Sequence, residues 1–251
     1  MKSLEEFFAE NPRAAIAFSG GADSAYLLYA ALKYARSVTA YFVMTPFQPY
    51  SELEDALRTA RILGARLRVL LLDPLADPDI SQNTADRCYF CKRRIFLAIA
   101  ERAAGEGCTL VLDGTNASDD AGDRPGMRAL EELSVLSPLR ICGLSKADIR
   151  SLSQAAGLPT WDKPSNSCLA ARIAHGTELT LPLLSRTEKT ERFLAGLGFS
   201  NFRVRTDGDA AIIQVTRAQT RLLDENMGLI EDELLKHYSS VGRDPEARHE
   251  Q

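Results

Sequence analysis

No run of apolar residues in the 251-residue chain approaches the roughly 18 that a membrane-spanning helix needs. Nor is there an excess of positive charge: 30 Lys and Arg against 34 Asp and Glu leave a formal net charge of −4. Without a basic field, a large nucleic-acid substrate is disfavoured. Histidine is scarce, and His175, His237 and His249 show no paired metal-ligand spacing, which argues against a four-ligand zinc site. The opening MKSLEEFFAENPR lacks the apolar core and small-residue cleavage site of a secretory signal. Five cysteines, an odd number, then read as reduced thiols or metal ligands rather than a disulfide framework. The expectation is a cytoplasmic protein with no membrane and no nucleic-acid partner. A GxxxxGK[ST] string is also missing, so a phosphate loop of the kinase or GTPase kind is not expected.

What is present starts with SGGADS, Ser19 to Ser24, after the apolar run Ala14 to Phe18 and before the helical stretch Ala25 to Ala35. A strand that ends in two glycines and opens a helix points backbone N–H groups and a positive helix end at one small volume, with the Ser19 and Ser24 hydroxyls as further donors. Gly20 and Gly21 let the backbone approach phosphates without a Cβ in the way. An ordinary Gly-Gly turn capped by Asp23 or Ser24 is the plainer alternative. The loop resembles the PP-loop of the N-type ATP pyrophosphatases, which implies that Ser19, Gly20, Gly21, Asp23 and Ser24 hold the pyrophosphate that leaves ATP.

Apolar, β-rich runs at Ala14 to Phe18, Val38 to Val43, Leu67 to Leu72 and Thr109 to Leu112 alternate with helical patterns at Ala25 to Ala35, Leu53 to Leu63 and Arg93 to Ala103. Such alternation predicts an α/β fold, a mostly parallel sheet with helices on both faces. Its ligands sit at the carboxyl ends of the strands. The stretch Asp113 to Leu130 follows the fourth strand and reads as a loop, rich in carboxylates and glycine with one proline. Ser145 to Gly157 reads as a helix started by the SKAD capping pattern. A helix from about Pro182 to Leu197 leads to a hairpin over Phe202 to Val215, then to two helices near Ala218 to Glu225 and Leu229 to His237. The expected organisation is a main domain over 1–178, a small C-terminal α/β module over 179–238 and a disordered polar tail over 239–251.

Cys88 and Cys91 form a CxxC at a helix start, where the helix dipole and the flanking Arg87, Lys92, Arg93 and Arg94 favour thiolates. With Cys168 they make three soft ligands, a set that suits an iron-sulfur cluster with one iron left open. A redox dithiol, half a zinc site or two core thiols read the same from a CxxC alone. Arg172 lies four residues past Cys168, where its cation could stabilise a thiolate or a phosphate; a solvated surface arginine is the alternative. Arg203 and Arg205 share one strand face and could grip a phosphate, although strand arginines are more often structural. Asp113, Thr115, Asn116, Asp119 and Asp120 could position magnesium or substrate, or simply satisfy their own turn. Trp161 is expected to pack, and Cys108 and Cys142 to be inert thiols.

The strings DGTNASDDAGDRPGMRALEELSVLSPL, GLSKADIRSLSQAAGLPTWDKPSNSCLAARIAHGTELT and LGFSNFRVR, in that order, resemble the LarE family of ATP-dependent sulfur transferases over roughly residues 10 to 215. The resemblance implies adenylation of a pyridinium dicarboxylate mononucleotide and replacement of carboxylate oxygen by sulfur, giving the thiocarboxylates of the nickel-pincer nucleotide cofactor. It implies ATP and magnesium as cofactors, with Gly114, Thr115 and Asn116 joining the nucleotide site and Asp23, Asp119 and Asp120 as candidate magnesium ligands. Arg172, Arg203 and Arg205 become candidate substrate contacts. In one branch the cysteine matching Cys168 gives up its own sulfur; in another, cysteines matching Cys88, Cys91 and Cys168 hold a 4Fe-4S cluster that delivers sulfide. All three are present, so the cluster branch is expected, together with a homo-oligomer and a sulfide donor or cluster-assembly partner. The chain departs from the family's final hairpin at Asp207, Ile212 and Gln214. The rival readings are a PP-loop tRNA thiolase, which should carry a basic surface or an RNA-binding domain, and a nucleotide-binding regulatory module with structural zinc.

Overall fold

The structure is a computed structural model in which residues 2–119 and 125–248 are described. Along the chain run Leu4–Glu10 (α1), Arg13–Ala17 (β1), Ala22–Tyr34 (α2), Ser37–Met44 (β2), Tyr50–Ile62 (α3), Leu67–Leu71 (β3), Pro78–Ser81 (α4), Arg87–Gly105 (α5) and Val111–Leu112 (β4). Then follow Pro125–Glu132 (α6), Pro138–Ile141 (α7), Lys146–Ala155 (α8), Leu181–Gly196 (α9), Arg203–Asp207 (β5), Ala210–Gln214 (β6), Thr220–Leu234 (α10) and Ser240–Arg243 (β7). Two compact units result, one of residues 1–74 and 86–163, the other of 75–85 and 164–251. The α/β fold class expected from the alternating pattern is what the structure has.

The first unit is a parallel sheet in the order β3-β2-β1-β4. Its central strands are apolar or aromatic from Ala14 to Ala17 and from Ala40 to Met44, where both faces are covered. Ile16 and Phe42 pack with Phe8, Leu27 and Leu28 under α1 and α2. Their neighbours Ala15, Tyr41 and Val43 point the other way, against Phe96 and Ile99 of α5 and Leu130 of α6. The chain runs from β1 outward through β2 to β3, then returns to add β4 on the other side of β1. The strand order therefore reverses between β1 and β4, and at the carboxyl end of such a reversal a crevice opens.

The second unit builds on a three-stranded sheet, β5-β6-β7, with the expected β5–β6 hairpin. Val204, Ala211 and Ile213 face a core shared with Leu194 of α9 and Leu223 and Ile230 of α10. Residues 164–178, grouped by sequence with the first domain, pack here: Asn83 Nδ2 donates to the carbonyls of Ile173 and Ala174, at 3.3 and 2.9 Å.

Three local expectations are corrected. The stretch after β4 is not all loop, since α6 begins at Pro125, a favoured first helical residue, and buries Ala129 and Leu130. The pair of C-terminal helices is one helix, α10, running through Gly228; burial of Leu223, Ile230 and Leu234 outweighs the ~1 kcal/mol helix penalty of a glycine. Residues 240–243, expected in the tail, form β7 and pair in parallel with β6, which supplies backbone partners along its free edge.

Candidate functional site

In the first unit, Ser19, Gly20 and Gly21 join the end of β1 to the start of α2. Gly20 has φ +74°, and a Cβ there would stand 3.1 Å from the Ala56 Cα, so the position admits glycine on two counts. Gly21 is the helix N-cap and has no side chain to occupy the first N–H groups of α2, which leaves the positive helix end open to an anion. Ser19 Oγ and Ser24 Oγ are 3.1 Å apart, and Ser24 Oγ donates to the Gly21 carbonyl at 3.2 Å.

Two lysines from remote sequence hold this loop. Lys146 Nζ donates to Asp23 Oδ2 at 2.7 Å. Lys163 Nζ donates to the Gly20 carbonyl at 3.2 Å and pairs with Asp55 at 2.8 Å. Lys146 is aimed by its surroundings: the Ser145–Asp148 capping box starts α8, and the Lys146 N–H donates to Ser118 Oγ at 3.0 Å. Asp23 Oδ1 is buried without a hydrogen-bond partner among the described residues. A cavity of about 360 Å³ opens beside the loop, lined among others by Ser19, Asp23, Tyr41, Glu52, Lys92 and Thr115.

The segment after β4 borders the same cavity. A Cβ on Gly114 would lie 3.0 Å from the Ser24 nitrogen, so the two loops touch backbone to backbone and residue 114 must stay small. Both oxygens of Asp113 accept hydroxyl bonds at 2.5 Å, from Thr115 and from Ser137. Asp113 and Thr115 thus brace each other. The Asn116 N–H donates to Asp119 Oδ2 at 2.9 Å, and Asn116 Oδ1 accepts from the Ser118 N–H at 2.8 Å, a self-satisfied turn. Asp119 still reaches the cavity lining. Asp120 lies outside the described residues. Within either unit, no group of three or more His, Cys, Asp or Glu among the described residues could hold a metal. Magnesium, however, is commonly bound by one or two carboxylates plus substrate phosphates. The partnerless Asp23 Oδ1 fits that need.

Cys88 and Cys91 stand on the first turn of α5, as expected, Cys88 exposed and Cys91 half-buried. A spacing of three places both on one helix face. Cys142 is buried, and burial pushes its thiol pKa up, in keeping with an inert role. Cys108 is half-buried, its Sγ 3.6 Å from the Leu110 carbonyl. Trp161, expected to pack, is 38 % exposed.

Cys168 belongs to the second unit, at the N-cap of a 3₁₀ turn over Leu169–Arg172. The Arg172 side chain is 1 % exposed and committed to protein partners: Nε donates to Glu191 Oε1 at 2.8 Å, Nη1 to the Ser167 carbonyl at 2.9 Å, and Nη2 to Asn166 Oδ1 at 2.8 Å. Glu191 Oε1 also accepts from the Val204 N–H at 3.1 Å. Arg172 is thus neither a surface arginine nor open to a ligand. It fastens the Cys168 loop to α9 and β5.

On β5, Val204 and Thr206 are buried, whereas Arg203 is half-buried and Arg205 exposed on the alternate face. Burial first, then the cations of Arg248, Arg172 and Arg205, push the Arg203 pKa down to about 10, with Glu191 opposing. Arg203 is still cationic near neutrality, so the fold confines like charges here. Sequence reasoning missed Lys146 and Lys163. Lys146 was visible only as part of a capping pattern, and nothing local marks Lys163.

The fold and cleft define an α/β protein with a recess at the carboxyl edge of a parallel sheet, entered by a glycine-rich loop and an uncapped helix. No protein-family profile matches the chain. Over 209 residues it is 34% identical to the pyridinium-3,5-bisthiocarboxylic acid mononucleotide synthase of Lactiplantibacillus plantarum, a match covering 82% of this chain and 76% of the relative. It belongs to the family of that synthase, the LarE family. An uncharacterized Synechocystis protein is 33% identical over 243 residues, and one from Methanocaldococcus jannaschii is 29% identical over 240; each match covers 96% of this chain and 90% of the relative.

Proposed function

We propose that the protein is an ATP-dependent sulfur transferase that converts carboxylates of pyridinium-3,5-biscarboxylic acid mononucleotide to thiocarboxylates, a step in making the nickel-pincer nucleotide. The observation that carries this reading is the open N-terminus of α2 behind Ser19, Gly20 and Gly21, in a chain 34% identical to a thiocarboxylate-forming synthase. Such a terminus binds phosphate oxygens through backbone N–H groups.

A carboxylate resists nucleophilic attack because its leaving group would be oxide. In the first step a substrate carboxylate oxygen attacks the α-phosphorus of ATP; the O–P bond forms, the Pα–O–Pβ link breaks, and pyrophosphate departs. Ser19, Gly21 and Ser24 bind the departing phosphates, and Lys146 and Lys163 set cationic charge beside them. Asp23, through an Oδ1 that has no hydrogen-bond partner among the described residues, would hold magnesium, which would neutralise phosphate charge there. The Asp113–Thr115–Ser137 brace and Gly114 keep the second loop against the first. In the second step sulfur attacks the acyl carbon and AMP leaves with the bonding electrons of the C–O bond. Three thiolates are the donor set of an iron-sulfur cluster with one open iron, so Cys88, Cys91 and Cys168 would hold a 4Fe-4S cluster, whose chemistry is to supply sulfide. Arg172 fixes the backbone on which Cys168 stands.

Anaerobic purification followed by metal and sulfide analysis tests the sulfur source. Brown protein with about four iron and four labile sulfide per chain is the expected result. Colourless protein that loses one sulfur at Cys168 on turnover would replace the cluster with the self-consuming cysteine, and one zinc per chain would favour a regulatory module.

A further inference from the structure

The helix α5 carries its cavity-lining residues Lys92, Ile95, Phe96 and Ile99 at helical spacing along one face. Cys88 and Cys91 lie four residues before Lys92 and Ile95, so that face carries both thiols one turn further along, provided that the first turn of α5 stays helical. Its own sequence does little to hold it. Asp86, the N-cap, makes no capping bond with its side chain among the described residues, and no acidic residue stands in the first turn. A helix start of that kind leaves N–H groups unmet and frays readily.

The first turn is held from the side instead. α6 packs closely on α5, where a Cβ on Gly126 would meet the Lys92 side chain at 2.8 Å. From α6, Arg128 and Glu132 reach Tyr89, which lies between the two cysteines in sequence. Tyr89 Oη donates to Glu132 Oε2 at 2.7 Å, and the Arg128 guanidinium carbon stands 4.1 Å from the centre of the Tyr89 ring. The same guanidinium is 3.6 Å from Asp86 Oδ1, so one arginine reaches the residues on both sides of Arg87 and Cys88. Tyrosine is a middling helix former, so what it gives this turn is tertiary contact rather than backbone preference.

We propose that Tyr89 is a positioning residue for the sulfur chemistry: clamped by Arg128 and Glu132 of α6, it keeps the first turn of α5 wound, and so keeps Cys88 and Cys91 paired on the face that lines the nucleotide cavity. That the pair holds a cluster rests on the sulfur-transfer reading above; the clamp itself rests on the contacts between α5 and α6.

Binding of phenylarsine oxide to the full-length, anaerobically reduced, cluster-free chain tests the proposal. Trivalent arsenic closes a ring over two thiols with loss of water, so its affinity reports how well a dithiol is paired. A Cys168→Ala background leaves Cys88 and Cys91 as the pair under test, and Cys88→Ala should abolish the binding. In that background Tyr89→Phe, which keeps the ring and loses the hydroxyl, should weaken binding about threefold. Tyr89→Ala, which loses both contacts, should weaken it about tenfold although alanine is the better helix former. Glu132→Ala should match Tyr89→Phe and add nothing to it in the double variant. Glu225→Ala, at an exposed acid on α10, should change nothing. If Tyr89→Ala does not fold, Tyr89→Phe and Glu132→Ala carry the same test. Unchanged arsenical affinity in Tyr89→Phe, additive losses in the double variant, or an equal loss in Glu225→Ala would each overturn the proposal. Clamp-dependent binding in a protein that takes up neither iron nor labile sulfide would leave the clamp standing and remove the cluster reading.

Discussion

Cys168→Ala is expected to cut sulfur transfer by more than about 10³-fold, the scale on which loss of an essential nucleophile or sulfur ligand acts. Pyrophosphate release dependent on the mononucleotide should persist, because the residues proposed for adenylation all lie in the first unit. Separate assays of pyrophosphate and of thiolated product check both halves. The loop is fastened through Arg172, whose guanidinium donates to the Ser167 and Cys168 carbonyls, Asn166 and Glu191, contacts that the substitution leaves in place. Undiminished turnover in the variant would remove Cys168 from the mechanism under either sulfur source.

Asp23→Ala should lower pyrophosphate release by roughly 10²- to 10³-fold, the cost of removing a preorganised charge from a transition state. The side chain has two tasks. Its Oδ2 fixes Lys146 at 2.7 Å, and its Oδ1, buried and partnerless, is the oxygen offered to magnesium. Asp23→Asn keeps the shape and removes the charge, so it should fall nearly as far. Stability should change little, since a partly exposed ion pair contributes about 1 kcal/mol or less. Full pyrophosphate release in both variants would discard the assignment of the SGGADS loop to the ATP phosphates.

The parts of the fold written in short-range pattern were legible. Four apolar strands alternating with helices gave the parallel sheet, and two glycines between strand and helix marked the loop where the sheet order reverses. The corrections share one cause, which is that tertiary contact outweighed a local signal. Gly228 would end an isolated helix, but Leu223 and Ile230 bury one continuous face. The polar composition after Ser239 spoke for disorder, yet β6 offered a free edge. In the sites, glycines and cysteines announced themselves through type and spacing. Lys146 and Lys163 did not, because each acts on a residue more than a hundred positions away and an isolated lysine carries no local mark. Arg172 was visible, but only the fold could show that its donors are committed to Glu191, Ser167 and Asn166 rather than open to a ligand.

Mass analysis of the pyridinium dicarboxylate mononucleotide after incubation with ATP, magnesium and anaerobically prepared protein tests the central claim most directly. The expected product has sulfur in place of a carboxylate oxygen, with AMP and pyrophosphate formed for each exchange. ADP and phosphate in place of AMP and pyrophosphate, or AMP formed while the mononucleotide keeps its oxygen and the protein holds its sulfur, would contradict it.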